Sequence, residues 1–377
     1  MREEPSGLNE EPIGLYLHFP FCLLKCRYCN FPSEAGCEEL IEPYLAALFA
    51  EMEFYRGLEV RTVYLGGGTP SLLSPRQLEA LFEALRRNFS LMPGREETIE
   101  INPATGSPSL WEKAREGGIN RASIGAQSFS DRILEKLGRL HDSAAVGKTV
   151  EDLKKAGIDN FSLDLMYGLP EQTLEDWEET LEAALSLKPK HLSIYGLSIE
   201  EGTPFFRDRE RLVLPEEETE VAMAEKAEEI LSSAGFVHYE IASWALPGFE
   251  SMHNRIYWRL EPYVGLGTGA HSYFRHQRYQ HSPSIRDYLD HPLPLLPEAP
   301  LSKREEMEEF VFLGLRMLEE GISKRKFENR FGISLEAVFG KSIARLKERD
   351  LILQEGDRIR LNPLHFLLAN EVFVEFV

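Results

Sequence analysis

The run Ile13-Gly-Leu-Tyr16-Leu-His18-Phe-Pro20-Phe-Cys22-Leu-Leu-Lys-Cys26-Arg-Tyr28-Cys29 joins a strand-like segment to three of the chain's four cysteines. The spacing offers three thiolates to one face of a metal cluster and no fourth. A cubane iron–sulfur cluster ordinarily takes four cysteines, so three leave one iron open. An open metal position is the mark of a site that does chemistry. A structural zinc is the rival; it needs a fourth closed ligand, His18 or Cys37, and no second Cys-x-x-Cys grouping supplies a pair. A disulfide framework suits a long, cysteine-poor chain badly, and Cys37 reads as an ordinary thiol.

Outward from that run, Ile13–His18 is the first of six strand-like segments, with Thr62–Leu65, Thr98–Ile101, Arg121–Ile124, Phe161–Met166 and His191–Tyr195 following. Amphipathic helical runs separate them: Pro75–Asn88, Ser109–Glu116, Ser143–Ala156, Thr173–Ser186 and Glu216–Ser233. Gly117-Gly118 and Gly157 stand where helix C-termini are expected. Such alternation implies βαβ units and a parallel sheet. The expected fold class is therefore α/β, a partial (β/α)6 TIM-like barrel, over residues 1–245. A barrel-closing segment with a proline-rich linker is expected over 246–300, and a small C-terminal winged-helix-like α+β domain over 301–377. Pro283, Pro292, Pro294, Pro297 and Pro300 argue against helix or central strand from Ser282 to Pro300. Beyond them Glu305–Glu319, Ser323–Phe331 and Leu335–Arg349 read as helices, and Leu351–Leu361 as a hairpin around Glu355-Gly356-Asp357. Acids and bases interleave there, which fits a protein-facing or structural cap better than a DNA reader.

The 377 residues are 43% hydrophobic and 28% charged, ordinary for a globular protein. A formal net charge of -20 argues against a broad nucleic-acid-binding surface. No apolar run is long enough for a transmembrane segment, and Met1-Arg-Glu-Glu-Pro5 lacks the basic-then-apolar profile of a signal peptide. A cytoplasmic location is expected.

In a barrel of this kind chemistry sits at the carboxyl ends of the strands. The cysteine loop follows the first strand and Gly66-Gly67-Gly68-Thr69-Pro70 the second; Glu100 and Asn102 close the third. Gln127 lies past the fourth, Asp164 in the fifth, and Tyr195 at the end of the sixth. One polar residue there means little; six in phase predict a common pocket. A triple glycine serves a positive-φ turn as readily as a ligand's close approach. Ile99 and Ile101 put Glu100 on the opposite strand face, where it needs a polar partner. Arg139 is by default a solvated arginine; its functional reading is a fork for a carboxylate.

Together these residues resemble the radical S-adenosylmethionine (SAM) superfamily. The run Tyr16–Cys22, Gly66-Gly-Gly-Thr-Pro70, Glu100-x-Asn-Pro103, Gly125-Ala-Gln127-Ser-Phe129 and Asp164-Leu-Met-Tyr-Gly-Leu-Pro170 narrow the resemblance to the oxygen-independent coproporphyrinogen III oxidase-like group. Within it, His253-Asn254-Arg-Ile-Tyr257-Trp258 is similar to the His-Asn-x-x-Tyr-Trp signature of the heme chaperone (HemW) branch. The resemblance implies a [4Fe-4S] cluster on Cys22, Cys26 and Cys29, with SAM on the open iron. It implies SAM contacts from Tyr16, Gly67 and Glu100, and from His271 by position although the residue type differs. Tyr28, Gly68, Thr69, Gln127, Arg139 and Asp164 match residues that hold a second SAM in the oxidase. His253, Asn254, Tyr257 and Trp258 become heme candidates, where side-chain chemistry by itself favours plain packing of a loop under the barrel mouth. His238, His271 and His276 compete as iron ligands.

Two departures stand out. The oxidase carries a fourth cysteine where this chain has Phe31, and it has a longer extension ahead of its first strand. Asn30 also stands where the chaperone branch usually has Asp. The expected function is a heme chaperone that binds heme, a cluster and SAM and delivers heme to a recipient protein, with an electron donor serving the cluster. The alternatives are the oxidase itself, with its two radical decarboxylations, or another radical enzyme of the branch such as a heme-opening methyltransferase.

Overall fold

The computed structural model describes residues 11–293 and 300–377; Met1–Pro5, Pro294 and Pro297 lie outside the described residues. Strands β1 (Ile13–Phe19), β2 (Phe21–Cys22) and β3 (Glu34–Ala35) come first, then helix α1 (Ile41–Phe54). The chain then alternates through β4 (Glu59–Gly67), α2 (Pro75–Asn88), β5 (Ser90–Ile101), α3 (Pro108–Gly117) and β6 (Arg121–Gln127). Helices α4 (Asp131–Leu137) and α5 (Ser143–Lys155) lead to β7 (Phe161–Tyr167), α6 (Leu174–Ser186) and β8 (His191–Gly196). After α7 (Pro204–Asp208) and α8 (Glu217–Ser233), the hairpin β9 (Val237–Glu240) and β10 (Ser243–Ala245) pairs back onto β8. Helix α9 (Met252–Trp258), strands β11 (Tyr263–Leu266), β12 (His271–Phe274) and β13 (Gln277–Gln280), and α10 (Ile285–Asp290) complete the barrel.

The sheet order is β13-β12-β11-β1-β4-β5-β6-β7-β8-β10-β9. From β11 to β8 every pairing is parallel, and β8 does not return to β1. The result is an open α/β barrel. It has one parallel strand more than expected, because β11 joins on the far side of β1. The reason for the shape is strand parity. Leu15, Leu17, Val63, Leu65, Ile99, Ile124, Leu163 and Leu165 are fully buried under the outer helices. Each contributes about 1.5–3 kcal/mol of burial. Alternate residues face inward and are polar.

Helix α2 illustrates the local logic. Ser74 and Gln77 form a capping box and Pro75 opens the first turn. Leu78, Leu81, Phe82 and Leu85 then make one buried stripe. The expected absence of helix between Ser282 and Pro300 is corrected by α10. Pro283 and Pro292 bracket that helix rather than interrupt it, and Ser284 accepts the Asp287 amide as its N-cap.

The C-terminal unit holds α11 (Lys303–Gly314), β14 (Ile322–Ser323), α12 (Lys324–Phe331), α13 (Leu335–Glu348), β15 (Ile352–Glu355), β16 (Arg358–Leu361) and α14 (Ala369–Phe373). Helix α11 stops at Gly314, short of the expected Glu319; any Cβ on that glycine would stand 2.3 Å from Ile322. A second apolar core runs from Met307 to Phe376, separate from the barrel core that runs from Ile13 to Tyr288. From the stretch 246–300, Val264, Leu266, Phe274, Ile285 and Tyr288 join the barrel core.

Candidate functional site

The inward residues form layers. At the amino end of the strands lie Gly14, Thr62, Glu96 and Arg121, and helix α9 fills the space between them. Ile256 packs on Gly14, where a Cβ would meet it at 2.9 Å. Glu96 accepts the backbone amides of Met252 and His253, both at 3.0 Å, so a carboxylate sits on the positive end of α9. The His253 ring bonds Thr62 Oγ1 through Nδ1 (2.7 Å) and Tyr257 OH through Nε2 (2.7 Å). It stacks on Tyr64 at 5.0 Å and is 1% exposed. Burial lowers its pKa to about 3. The expectation of a loop under the barrel mouth is therefore corrected: this motif is a helix plugging the floor, and its histidine has no free nitrogen for iron. Asn254 only continues the helix from its Ser251 cap, and Trp258 stacks with Arg316 at 4.4 Å.

Above the floor stand Tyr16 and Tyr64, then Glu100, Ser123 and Asp164. Tyr64 OH donates to Glu100 Oε1 (2.9 Å), and the Gly67 amide donates to Oε2 (3.0 Å). Ser123 Oγ reaches both oxygens of Asp164 at 3.1 Å. Tyr195 is 45% exposed at the mouth. Burial pushes Asp164 upward and Glu100 to about 7, and the Asp164 charge reinforces the rise at Glu100. Folding therefore lifts the Glu100 carboxyl above its ordinary value, so the folded state holds a proton that the unfolded chain releases. The stability gained from that proton is full below about pH 4.5 and is lost as pH rises through about 7. Glu100→Gln is expected to flatten this descent, read as urea-unfolding free energy across that window; an unchanged slope would refute it.

Gly66 lets the backbone lie close against three inward side chains. A Cβ there would stand 2.9 Å from Tyr64, 3.0 Å from Tyr16 and 3.1 Å from Glu100. Gly67 has φ of 106°, which L side chains avoid, and its missing Cβ would strike the His18 ring at 2.6 Å. Gly68 donates to Phe19 O at 2.7 Å and so seats the glycine turn against the entry to the cysteine loop.

In that loop Cys26 O accepts the Cys29 amide (3.2 Å), Arg27 N donates to Leu137 O (3.0 Å), and Thr69 Oγ1 lies 3.6 Å from Cys22 Sγ. Burial raises the Cys29 thiol, with Cys26 and Cys22 adding to the rise. Among the described residues no three His, Cys, Asp or Glu converge on a single ion. A cubane does not ask for that, since each sulfur takes a different iron. The zinc alternative through His18 has no ligand to use. His18 Nε2 donates to Pro32 O (2.7 Å), its Nδ1 accepts from Tyr16 OH (2.9 Å), and burial lowers its pKa to about 4. Cys37 lies in the barrel core.

Arg139 is not a solvated arginine. Its guanidinium donates to Cys26 Sγ (3.4 Å) and to Gly125 O (2.6 Å). Tyr28 shares this cluster; burial raises its pKa and Cys26 and Cys29 add to that. Gln127 takes a left-handed φ of 66° at the end of β6. Asn102 is absorbed locally, accepting the Ala104 amide at 3.2 Å. Sequence reasoning missed Tyr64, Ser123 and the floor pair Glu96 and Arg121. Their strand parity with Gly66 and Glu100 was the available signal.

Residues 16–184 match the radical SAM superfamily model and 301–368 the HemN C-terminal domain model. Heme chaperone HemW of Lactococcus lactis is 38% identical over 98% of both chains. The chain belongs to the HemW family. HemW of Bacillus subtilis is 36% identical over 96% of this chain and 98% of its own. Coproporphyrinogen III oxidase (HemN) from Escherichia coli, a radical SAM enzyme, superposes with a TM-score of 0.85 over 97% of this chain and 90% of its own, at 22% identity. That likeness establishes the fold. The radical SAM assignment carries a [4Fe-4S] cluster and SAM with it, and two features of this molecule fit them: three free cysteines on one short loop at the strand ends, and Gly66 packed against Tyr16, Tyr64 and Glu100. Cys22, Cys26 and Cys29 are the residues that would hold the cluster. No helix among the described residues is long and apolar enough to cross a membrane.

Proposed function

We propose that this protein is a heme chaperone of the radical SAM type, working in the cytoplasm and passing heme to a recipient protein. The observation that carries the reading is near-full-length similarity to proteins named heme chaperone HemW, at 38% and 36% identity. The cysteine loop supports it. Phe31, 62% exposed, occupies the position of the oxidase's fourth cysteine. When bound, the cluster and SAM supply one-electron chemistry, drawing on an external electron donor. This chain's own residues bind and orient. Tyr16, Gly67 and Glu100 border the SAM cradle. Tyr28 and Arg139 turn to Cys26, which favours their supporting the cluster loop over holding a second SAM. Gly68, Thr69, Gln127 and Asp164 line the same rim and interior.

The test is anaerobic cluster reconstitution followed by two assays. Titrated heme is expected to give a saturable Soret band. Coproporphyrinogen III with SAM and a reductant is expected to give no protoporphyrinogen. Substantial product assigns the oxidase activity instead, and no heme binding overturns the chaperone reading.

A further inference from the structure

We propose that His271, at the cluster rim, is the axial ligand to heme iron. The inference rests on the heme chaperone reading. An axial ligand needs an imidazole that is accessible, neutral and free at one nitrogen. The chain has ten histidines, and the structure eliminates most of them. His18, His191 and His253 have both ring nitrogens in internal hydrogen bonds. His238 is stacked on Trp244 and held between Glu228 and Ile241 O. His141 is buried on Ala126 O, and His281 is buried against Glu51 at 2.7 Å. Four remain. His276 is tied to Glu306 at the far end of β12, His365 belongs to the C-terminal unit, and His291 ends α10 on the outside of the sheet.

His271 alone of these stands at the cysteine end of the barrel. Strand β11 runs parallel to β1, so its carboxyl end and the turn into β12 share the rim with the cysteine loop. Gly269 is packed so close to Pro32 that a Cβ would stand 2.7 Å from it, and Pro32 lies three residues past Cys29. The His271 side chain is exposed, and no hydrogen bond to its ring exists among the described residues.

The turn that carries this ring is rigid. Gly267 N donates to Glu51 (3.1 Å), Thr268 N to Tyr44 OH (3.0 Å) and Gly269 N to Ser282 O (2.8 Å), while Ala270 O accepts from His281 N (2.9 Å). A free side chain on a fully tethered backbone is the arrangement a preorganised ligand requires. Partial burial, Arg278 and His281 all disfavour the imidazolium, which keeps the ring neutral for metal.

The surroundings suit a porphyrin. Leu23 and Leu24 (46% each) and Phe31 (62%) are exposed apolar side chains in and just after the cysteine loop, and Leu140 (51%) is another next to Arg139. An apolar macrocycle covers such side chains. Lys25 adds a cation held only by the Phe31 and Ser33 carbonyls (3.0 and 3.1 Å), with no carboxylate partner among the described residues. It can meet a propionate.

The test titrates ferric heme into the anaerobically reconstituted full chain, followed by Soret position and electron paramagnetic resonance. His271→Ala is expected to lose the imidazole-ligated signature and to bind heme about tenfold more weakly or worse. His271→Gly is expected to recover the signature on adding free imidazole. Iron and sulfide content report that each variant still holds its cluster. Wild-type spectra and affinity in both variants overturn the assignment while leaving the chaperone reading standing. Absence of heme binding by the wild type overturns the chaperone reading itself.

Discussion

Cys26→Ala is expected to leave a protein that folds yet takes up almost no iron or acid-labile sulfide under anaerobic reconstitution. Cys26 is 9% exposed and sits at the centre of the loop, where its sulfur accepts from Arg139 and its carbonyl from the Cys29 amide. The barrel core does not depend on it; that core is built from the strand and helix residues of a separate apolar cluster. What the substitution removes is one of three sulfurs, and a cubane on two protein ligands has two open irons exposed to solvent and oxidation. It also strips a partner from a buried guanidinium, which costs about 1–3 kcal/mol. The expected record is loss of the cluster's visible absorption together with a modest fall in the urea midpoint. Full cluster content in the variant would refute the ligand assignment, and complete unfolding would refute the separation of loop from core.

Glu51→Ala is expected to produce the larger loss of stability, about 3–5 kcal/mol, because it breaks a buried polar set. Glu51 has no exposed surface; it accepts from Tyr288 OH (2.7 Å) and Gly267 N (3.1 Å) and faces His281 at 2.7 Å. Burial raises its pKa, while His281 and the hydrogen bonds oppose that rise. Alanine leaves an amide, a phenol and an imidazole without partners inside the core. Glu51→Gln keeps an acceptor and is expected to lose less. Urea midpoints read at constant m separate the two; equal, small losses in both variants would show that the set is dispensable.

Much of the barrel was legible because its signals are local and repeated. The parity of Ile99-Glu100-Ile101 turns the carboxylate to the face opposite its apolar neighbours, and the run from Pro75 marks α2. Helix α1 was not among the expected helices; Pro43 stands in its first turn, where proline is tolerated. Strands β12 and β13, with sequences His271-Ser-Tyr-Phe and Gln277-Arg-Tyr-Gln, are four residues each with little apolar alternation, so nothing local marks them. The His253 motif could not be placed from sequence. Which end of a barrel a short helix enters depends on contacts such as Ile256 on Gly14, which are remote along the chain. Arg139 was misjudged for the same reason: its partner is a sulfur over a hundred residues away.

The floor helix also has an outward face. Arg259, its final cap residue, pairs with Glu320 (3.0 Å), and Arg330 of α12 donates to Leu260 O (3.0 Å). On its inner side the same helix presses His253 against Tyr64, which grips Glu100. An unbroken chain of contacts therefore runs from the C-terminal unit through α9 to the buried carboxylate of Glu100. The C-terminal unit thus shares a border with the helix that closes the barrel floor.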